Sequence, residues 1–184
     1  MRTIMRFILP TFLFVLIGMT LPTVNGQKGK RNQTVQGDWP VYGRDEGGQR
    51  YSPLAQINTK NVAQLQRAWT YHMRDEQVAS SSRRSRPRSS QATPIVINNV
   101  MYLPTAYDSV VALEPETGKE VWKYQVKGGS PSTRGVAYWP GDAQTPPRIV
   151  FGTNSGRLIA LDAKTGQGIS TFGNQGEVDL KVGV

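Results

Sequence analysis

Two related octapeptides decide the fold of this chain: ALEPETGK at residues 112–119 and ALDAKTGQ at residues 160–167. The second copy begins 48 residues after the first, and self-similarity at a fixed period of this length is typical of repeat architectures. A period of roughly 40–50 residues matches one four-stranded blade of a β-propeller. The repeat therefore predicts an all-β fold, a partial propeller of about two blades.

Each octapeptide continues a largely apolar segment into a tight turn. Residues 109–113 and 157–161 form these segments, and each leads into an acidic residue followed by Thr-Gly. The acid and the threonine can hydrogen-bond their own backbone, while glycine adopts the positive φ that a tight hairpin turn needs. After the first turn, residues 119–124 alternate charged and apolar side chains, as half-buried strands do. Both copies are therefore predicted to be β-hairpins.

A second hairpin signal lies upstream of the first octapeptide. The pair Asn98-Asn99 separates two β-rich runs, as the two-residue loop of a hairpin does. With these strands, one four-stranded unit is predicted over residues 91–124 and a second over residues 136–172. Helical periodicity is weak, apart from one or two turns expected around residues 61–65.

The composition fits a β-rich exported protein. The 19 glycines and 12 prolines of the 184 residues suit a chain with many turns, and 38% hydrophobic residues suffice for a packed core. Cysteine is absent, which excludes a disulfide framework, a thiolate metal site and a cysteine nucleophile.

The N-terminal segment has the pattern of an export signal. Arg2 and Arg6 precede an apolar run over residues 7–21, which is 15 residues long. A helix that spans a bilayer needs about 20 apolar residues, so the run predicts a secretory signal peptide over residues 1–26, with an uncleaved anchor as the alternative. The mature chain, residues 27–184, is expected to be periplasmic or otherwise exported.

A stretch rich in serine and arginine occupies residues 74–90 and carries five arginines. It has little apolar surface to bury, so we expect a mobile loop or insertion. Its charge would also suit a patch for nucleic acid or anionic lipid. No aromatic residues interleave with the arginines, which argues against nucleic acid and leaves peripheral association with a membrane open.

Several motifs occur in a fixed order along the mature chain. GDWPVYG at residues 37–43 and QRYSPL at residues 49–54 are followed by ATP at 92–94, RGVAYW at 134–139 and FGNQG at 172–176. Together with the two octapeptides, they resemble the quinoprotein dehydrogenases, in particular the membrane glucose dehydrogenase and the quinoprotein alcohol dehydrogenases. That family consists of periplasmic eight-bladed propellers that oxidise sugars or alcohols with pyrroloquinoline quinone (PQQ). The resemblance implies that this chain is the N-terminal part of such a propeller.

The resemblance also implies two contacts with PQQ. Gln91 stands where the family commonly has an acid near the quinone, and its amide can both donate and accept hydrogen bonds. Arg134 matches the arginine that contacts the quinone oxygens, and its planar guanidinium suits adjacent oxygens that gain negative charge. On the residues alone, Gln91 could be an ordinary loop glutamine and Arg134 a surface arginine of a strand.

Members of this family dock a tryptophan from one blade on the Ala and Thr-Gly region of the next. Trp122 fits this role, and Trp69, 53 residues earlier, is expected to play the same part for the preceding blade. The alternative, in which both tryptophans are simply buried in the core, predicts in effect the same contacts. The equivalent position of the second copy is Ser170, with Phe172 as the nearby aromatic, so the second copy departs from the family pattern.

Two features of the family are missing from the sequence. Residues 128–130 are Gly-Gly-Ser, where many alcohol dehydrogenases of the family have adjacent cysteines. The family's calcium ligands and catalytic aspartate come from later blades, and no clustered acidic site is visible in this chain. No catalytic or metal-binding residue is therefore predicted here, and Ca²⁺ is expected only in a full-length member.

Two functions follow from these observations. The first is the N-terminal portion of a periplasmic PQQ-dependent dehydrogenase that oxidises a sugar or alcohol, passes electrons to a quinone or cytochrome acceptor, and is inactive as this piece. The second is a non-enzymatic propeller-type binding or scaffold module of the cell envelope. Arg134 and the segment over residues 39–54 favour the first.

Overall fold

The computed structural model describes residues 37–74 and 89–182, which lie within one unit, Gln33–Val184. All strands in these ranges belong to two four-stranded antiparallel sheets, which confirms the all-β prediction. The first sheet contains β1 (Ile95–Ile97), β2 (Val100–Pro104), β3 (Ser109–Leu113) and β4 (Glu120–Gln125), hydrogen-bonded in that order. The second contains β5 (Ala137–Trp139), β6 (Arg148–Gly152), β7 (Arg157–Asp162) and β8 (Glu177–Asp179), again in chain order.

The β1–β2 hairpin forms at the predicted pair. Asn98 and Asn99 have φ of 50° and 61°, and Ile97 pairs with Val100. Two consecutive residues with positive φ are the mark of a type I′ turn, whose twist matches that of the flanking strands. Asparagine tolerates this conformation better than most residues, which is why this pair ends β1.

The two Thr-Gly turns are equivalent, as the repeat predicts. Gly118 and Gly166 have φ of 70° and 72°, and each donates its N–H at 2.8 Å to the carbonyl of the acidic residue four positions earlier. Thr117 donates its hydroxyl to the Glu114 carboxylate at 2.8 Å. Thr165 makes the matching bond to Asp162 at 3.0 Å.

The strand that follows the second turn differs from the prediction. β4 pairs with β3 directly after the first turn, whereas only one bridge, between Leu161 and Gly168, forms after the second. The chain then passes through turns that hold Gly173 and Gly176 at φ of 56° and 97°, conformations that interrupt a strand. The fourth strand of the second sheet is therefore β8, and the predicted end of this unit at Phe172 was wrong.

The main core lies between the two sheets. Ile95, Tyr102 and Trp122 of the first sheet belong to the same buried cluster as Ile149 and Phe151 of the second. A smaller cluster lies on the other face of the first sheet, where Trp69, Tyr71 and Met73 pack on buried Leu103, Val111 and Leu113. The first sheet is thus covered on both faces.

The remaining described residues are largely without regular structure. Val62–Gln64 form one 3₁₀ turn, as expected around residues 61–65. Within the two described ranges, no helix is long and apolar enough to cross a membrane. The predicted signal peptide over residues 1–26 and nearly all of the Ser/Arg-rich stretch at 74–90 lie outside the described residues.

Candidate functional site

The two residues predicted to contact PQQ meet at one end of the sheets. Gln91 precedes β1 and Arg134 precedes β5, so each lies where the first strand of its sheet begins. The Gln91 N–H donates to the Thr133 carbonyl at 3.1 Å, and the Thr93 N–H donates to the Arg134 carbonyl at 3.1 Å. These backbone bonds place Gln91 and Arg134 on paired segments.

Both side chains are exposed at this end. Within residues 37–74 and 89–182, nothing hydrogen-bonds or ion-pairs with the Arg134 guanidinium, whose backbone N–H bonds to Ser132 Oγ at 3.4 Å. Gly135 lets the two segments approach, since a Cβ there would lie 3.3 Å from the Thr93 carbonyl oxygen. The arrangement presents a guanidinium and an amide together, which suits adjacent anionic or carbonyl oxygens of a ligand.

The same end carries a buried polar residue that sequence reasoning missed. Ser130 is 7% exposed and donates its hydroxyl to Asp108 Oδ1. Its N–H donates to Asn154 Oδ1 at 2.7 Å, and its carbonyl accepts from the Asn154 N–H at 3.0 Å. Asp108 and Asn154 belong to the β2–β3 and β6–β7 turns, which are far apart in sequence, so no local pattern indicated the contact.

The opposite end of the sheets carries the Thr-Gly turns and the tryptophan contacts. Trp122 donates Nε1–H to the Ala163 carbonyl at 3.0 Å, and a Cβ on Gly166 would lie 2.6 Å from Trp122 Cδ2. Trp69 donates to the Pro115 carbonyl at 3.0 Å, and a Cβ on Gly118 would lie 2.5 Å from Trp69 Cδ2. Both tryptophans thus dock on a Thr-Gly turn, as predicted. Ser170, the corresponding residue of the second copy, is exposed, and Phe172 is half-buried.

A pocket of about 410 Å³ opens at this opposite end, between the two sheets. Tyr102 lines it and donates its hydroxyl to the Ala163 carbonyl at 3.2 Å. Burial, with smaller contributions from Tyr138 and Asp162, raises the pKa of the Tyr102 hydroxyl to about 12. Tyrosine therefore stays a neutral donor between the sheets at any physiological pH.

The described ranges contain no group of three or more histidines or carboxylates close enough together to hold a metal ion. His72, the one histidine of the sequence, is exposed. The prediction of Ca²⁺ in a full-length relative is not tested by this geometry.

The comparison with known families agrees with the geometry of the sheets. The family model described as "PQQ: Glucose/ethanol/alcohol dehydrogenase, beta-propeller domain" matches residues 39–184. The chain belongs to this PQQ dehydrogenase propeller family. Each of the two sheets is accordingly one blade, and we call them blade 1 (β1–β4) and blade 2 (β5–β8).

Individual relatives bear the names of sugar and alcohol dehydrogenases. It is 43% identical over 140 residues to the dehydrogenase subunit of "Alcohol dehydrogenase (quinone)" from Gluconobacter oxydans (strain 621H), covering 71% of this chain and 16% of that one. It is 36% identical over 159 residues to "Quinoprotein glucose dehydrogenase" from Escherichia coli (strain K12), covering 78% and 20%.

A solved structure shows the same fold. The crystal structure of quinohemoprotein alcohol dehydrogenase from Comamonas testosteroni superposes with a TM-score of 0.61 at 31% identity, covering 83% of this chain and 21% of that one. The chain spans about one fifth of the length of these relatives. Membership of the family implies PQQ as the cofactor of the whole propeller.

Proposed function

We propose that this chain supplies two blades of a PQQ-dependent dehydrogenase that oxidises a sugar or alcohol, with Gln91 and Arg134 on the cofactor side. The observation that carries the proposal is the backbone pairing of their two segments, which brings both side chains to one end of the sheets. The exposed guanidinium, without a partner in the described ranges, is the group expected at an anionic ligand. The names of the relatives support the substrate class.

The chemistry that these residues would perform is binding and charge stabilisation. Bound PQQ supplies the quinone that accepts two electrons from the substrate. The Arg134 guanidinium, with donors in a rigid fork, would bind adjacent quinone oxygens and stabilise negative charge on them. The Gln91 amide would donate a hydrogen bond to one oxygen or accept one from a neighbouring donor, without adding charge.

The remaining parts of the active site are assigned to other blades. We propose that the calcium ligands, the catalytic aspartate and the contact with a quinone or cytochrome acceptor lie in the portion of the relatives that this chain does not match. We further propose that the protein is exported to the periplasm, which the charged and then apolar N-terminal sequence supports.

A chimera tests the role of Arg134 in a complete propeller. Residues 37–182 would replace the matching segment of the Escherichia coli quinoprotein glucose dehydrogenase, and PQQ would be titrated in calcium buffer. Arg134→Ala should weaken PQQ binding roughly 10- to 100-fold, since a hydrogen bond to a charged group contributes about 1.5–3 kcal/mol. Arg134→Lys should retain only part of the PQQ affinity, because an ammonium cannot reproduce the paired planar donors of a guanidinium.

Arg67→Ala is the matched control, because Arg67 is also exposed but lies in the segment before Trp69. It should leave PQQ affinity unchanged. Equal affinity of the Arg134→Ala and unsubstituted chimeras would contradict the proposed role and would favour the alternative, a non-enzymatic binding or scaffold module.

A further inference from the structure

The segment that leads to Arg134 crosses from one blade to the other without a strand of its own. This crossing segment comprises residues 126–136, between β4 and β5, and among the described residues its backbone bonds to blade 1 lie at its two ends. The Val126 N–H donates to the Asp108 carbonyl at 2.8 Å, and the Arg134 carbonyl accepts from Thr93 at 3.1 Å. A segment with so little sheet pairing keeps one conformation only if other contacts offset its conformational entropy.

Ser130, in the middle of this crossing segment, is held by both blades. Asp108 of blade 1 accepts a hydrogen bond from its hydroxyl, while Asn154 of blade 2 accepts one from its N–H and donates one to its carbonyl. These bonds use both donors of the serine and its carbonyl. Because Ser130 is buried, loss of either partner would leave one of its polar groups buried without a hydrogen-bond partner.

Arg157 holds the start of the crossing segment. Its Nη2 donates to the Lys127 carbonyl, its Nη1 lies 2.5 Å from Glu177 Oε2, and its Nε donates to Ser155 Oγ at 3.2 Å. All three guanidinium nitrogens therefore have partners within the chain. Arg157 acts as a structural tie between blade 2 and the segment.

The crossing segment lies directly against the β6–β7 turn at Gly129. A Cβ on this residue would lie 2.6 Å from Ser155 Oγ and 3.1 Å from Asn154 Oδ1. Close approach to these polar atoms is possible only because residue 129 has no side chain. The polar contacts and the glycine thus specify one path for the segment.

The contacts extend from Ser130 toward Arg134. Pro131 forms a bridge with Thr153, and the Ser132 N–H donates to the Gly152 carbonyl at 2.9 Å. Ser130 lies four residues before Arg134, so a shift of the segment would move the base of the arginine side chain.

We propose that Asp108, Asn154 and Arg157 are positioning residues that fix residues 127–134 and thereby orient Arg134 before cofactor binding. The proposal rests on the proposed function of Arg134 as a PQQ contact. Preorganisation of this kind raises affinity because the ordering cost is met before the ligand binds.

The main test compares Asn154→Ala with Asn154→Asp. Alanine removes the acceptor of the Ser130 N–H, while aspartate keeps an oxygen at that position. We expect Asn154→Ala to speed amide hydrogen exchange at residues 128–134 of the full chain by 10-fold or more, with β2 and β3 unchanged. In the chimera, it should weaken PQQ binding 3- to 10-fold, and Asn154→Asp should restore both values.

Substitutions at Asp108 provide a second, independent test. Its φ of 60° is accommodated by glycine and asparagine, so Asp108→Gly removes the acceptor without backbone strain and Asp108→Asn retains it. Asp108→Gly should speed exchange at residues 128–134 and weaken PQQ binding, as Asn154→Ala does. Asp108→Asn should leave both values near those of the unsubstituted protein. If Asn154→Ala unfolds the protein, exchange in β2 and β3 will also be faster. The Asp108 variants then decide whether the positioning role is correct.

Asn174→Ala is the matched control, because Asn174 is an exposed asparagine in a different turn of blade 2. It should change neither the exchange at residues 128–134 nor PQQ affinity. If Arg134→Ala weakens PQQ binding but Asn154→Ala and Asp108→Gly do not, the positioning role is wrong and the proposed function stands. If Arg134→Ala has no effect, the proposed function itself fails.

Discussion

Trp122 joins the two blades through its ring and its indole N–H, and Gly166 makes room for that ring. Gly166 has φ of 72°, and its Cα faces the indole so closely that a Cβ would lie 2.6 Å from Trp122 Cδ2. The resemblance to the family predicted this contact, since its members dock a tryptophan from one blade on the Thr-Gly region of the next. The hydrogen bond to the Ala163 carbonyl was not predictable, because it depends on how the two blades face each other.

The tryptophan contact leads to a stability prediction. Gly166→Ala should lower the free energy of unfolding by about 2 kcal/mol or more, because alanine is strained at positive φ and its Cβ would clash with the indole. Urea unfolding of the mature chain measures the change. Gly152→Ala is the control, since a Cβ there meets nothing within 4 Å, and it should have little effect. Equal stability of the two variants would contradict the docking geometry.

The buried tyrosine between the blades predicts a pH dependence. The pKa of Tyr102 is 10.0 in the unfolded chain and about 12 in the fold, so folding favours the neutral hydroxyl. This stabilisation is fully present below pH 10 and is lost as the pH rises from 10 to 12, by up to about 3 kcal/mol. Urea unfolding at pH 9 and pH 11.5 measures it.

Tyr102→Phe separates this ionisation from others at high pH. The variant should lose about 1 kcal/mol at pH 9 through the missing bond to the Ala163 carbonyl, and then lose less than the unsubstituted chain by pH 11.5. Tyr51→Phe, at a residue 67% exposed, should keep the unsubstituted pH profile. The same pH dependence in all three proteins would show that Tyr102 does not control it.

At the level of elements, local chemistry in the sequence predicted the first four-stranded unit and both Thr-Gly turns, and it misplaced the last strand of the second unit. Turn chemistry at Asn98-Asn99 and at both Thr-Gly pairs acts over a few residues, so it is readable in sequence. β8 pairs with β7 across an excursion through residues 169–176, and its register is set by contacts that are not local. Glycine at 173 and 176 was the available signal for that excursion.

The β1–β2 turn can be tested by substitution at Asn99. Asn99→Val should destabilise the chain by about 1–2 kcal/mol, because a β-branched residue is strained at φ of 61°. Asn99→Gly should be neutral or slightly stabilising, since Asn-Gly is the favoured sequence of a type I′ turn. Thermal or urea unfolding measures both variants. Equal stability of the two would contradict the type I′ turn.

For the whole molecule, the repeat predicted two blades, while the meeting of Gln91 and Arg134 came only with the structure. The family resemblance gave both residues, but the bonds between residues 91–93 and 133–134 join segments about 40 residues apart. Such pairing depends on the angle between the blades, which no local pattern in the sequence specifies. The positioning contacts of Ser130 went unnoticed for the same reason.

The chain alone is expected to be marginally stable. Blade 1 is covered on both faces, whereas Trp139 of blade 2 is 37% exposed, with the Arg148 guanidinium carbon 5.0 Å from its ring centre. Each blade of a propeller buries its faces against its neighbours, so an uncovered face favours association. Thermal unfolding combined with sedimentation should show a low, broad transition or concentration-dependent association. A monomer with a cooperative transition at high temperature would contradict this.

The measurement that tests the central claim most directly is titration of PQQ into the mature chain, with and without Ca²⁺, beside the same titration of the chimera. The account predicts saturable, calcium-dependent binding by the chimera that Arg134→Ala weakens. It predicts weak or no binding by the chain alone, because Gln91 and Arg134 supply one edge of the site and leave both ring faces in water. Sub-micromolar, calcium-dependent binding of PQQ by the chain alone would contradict the account.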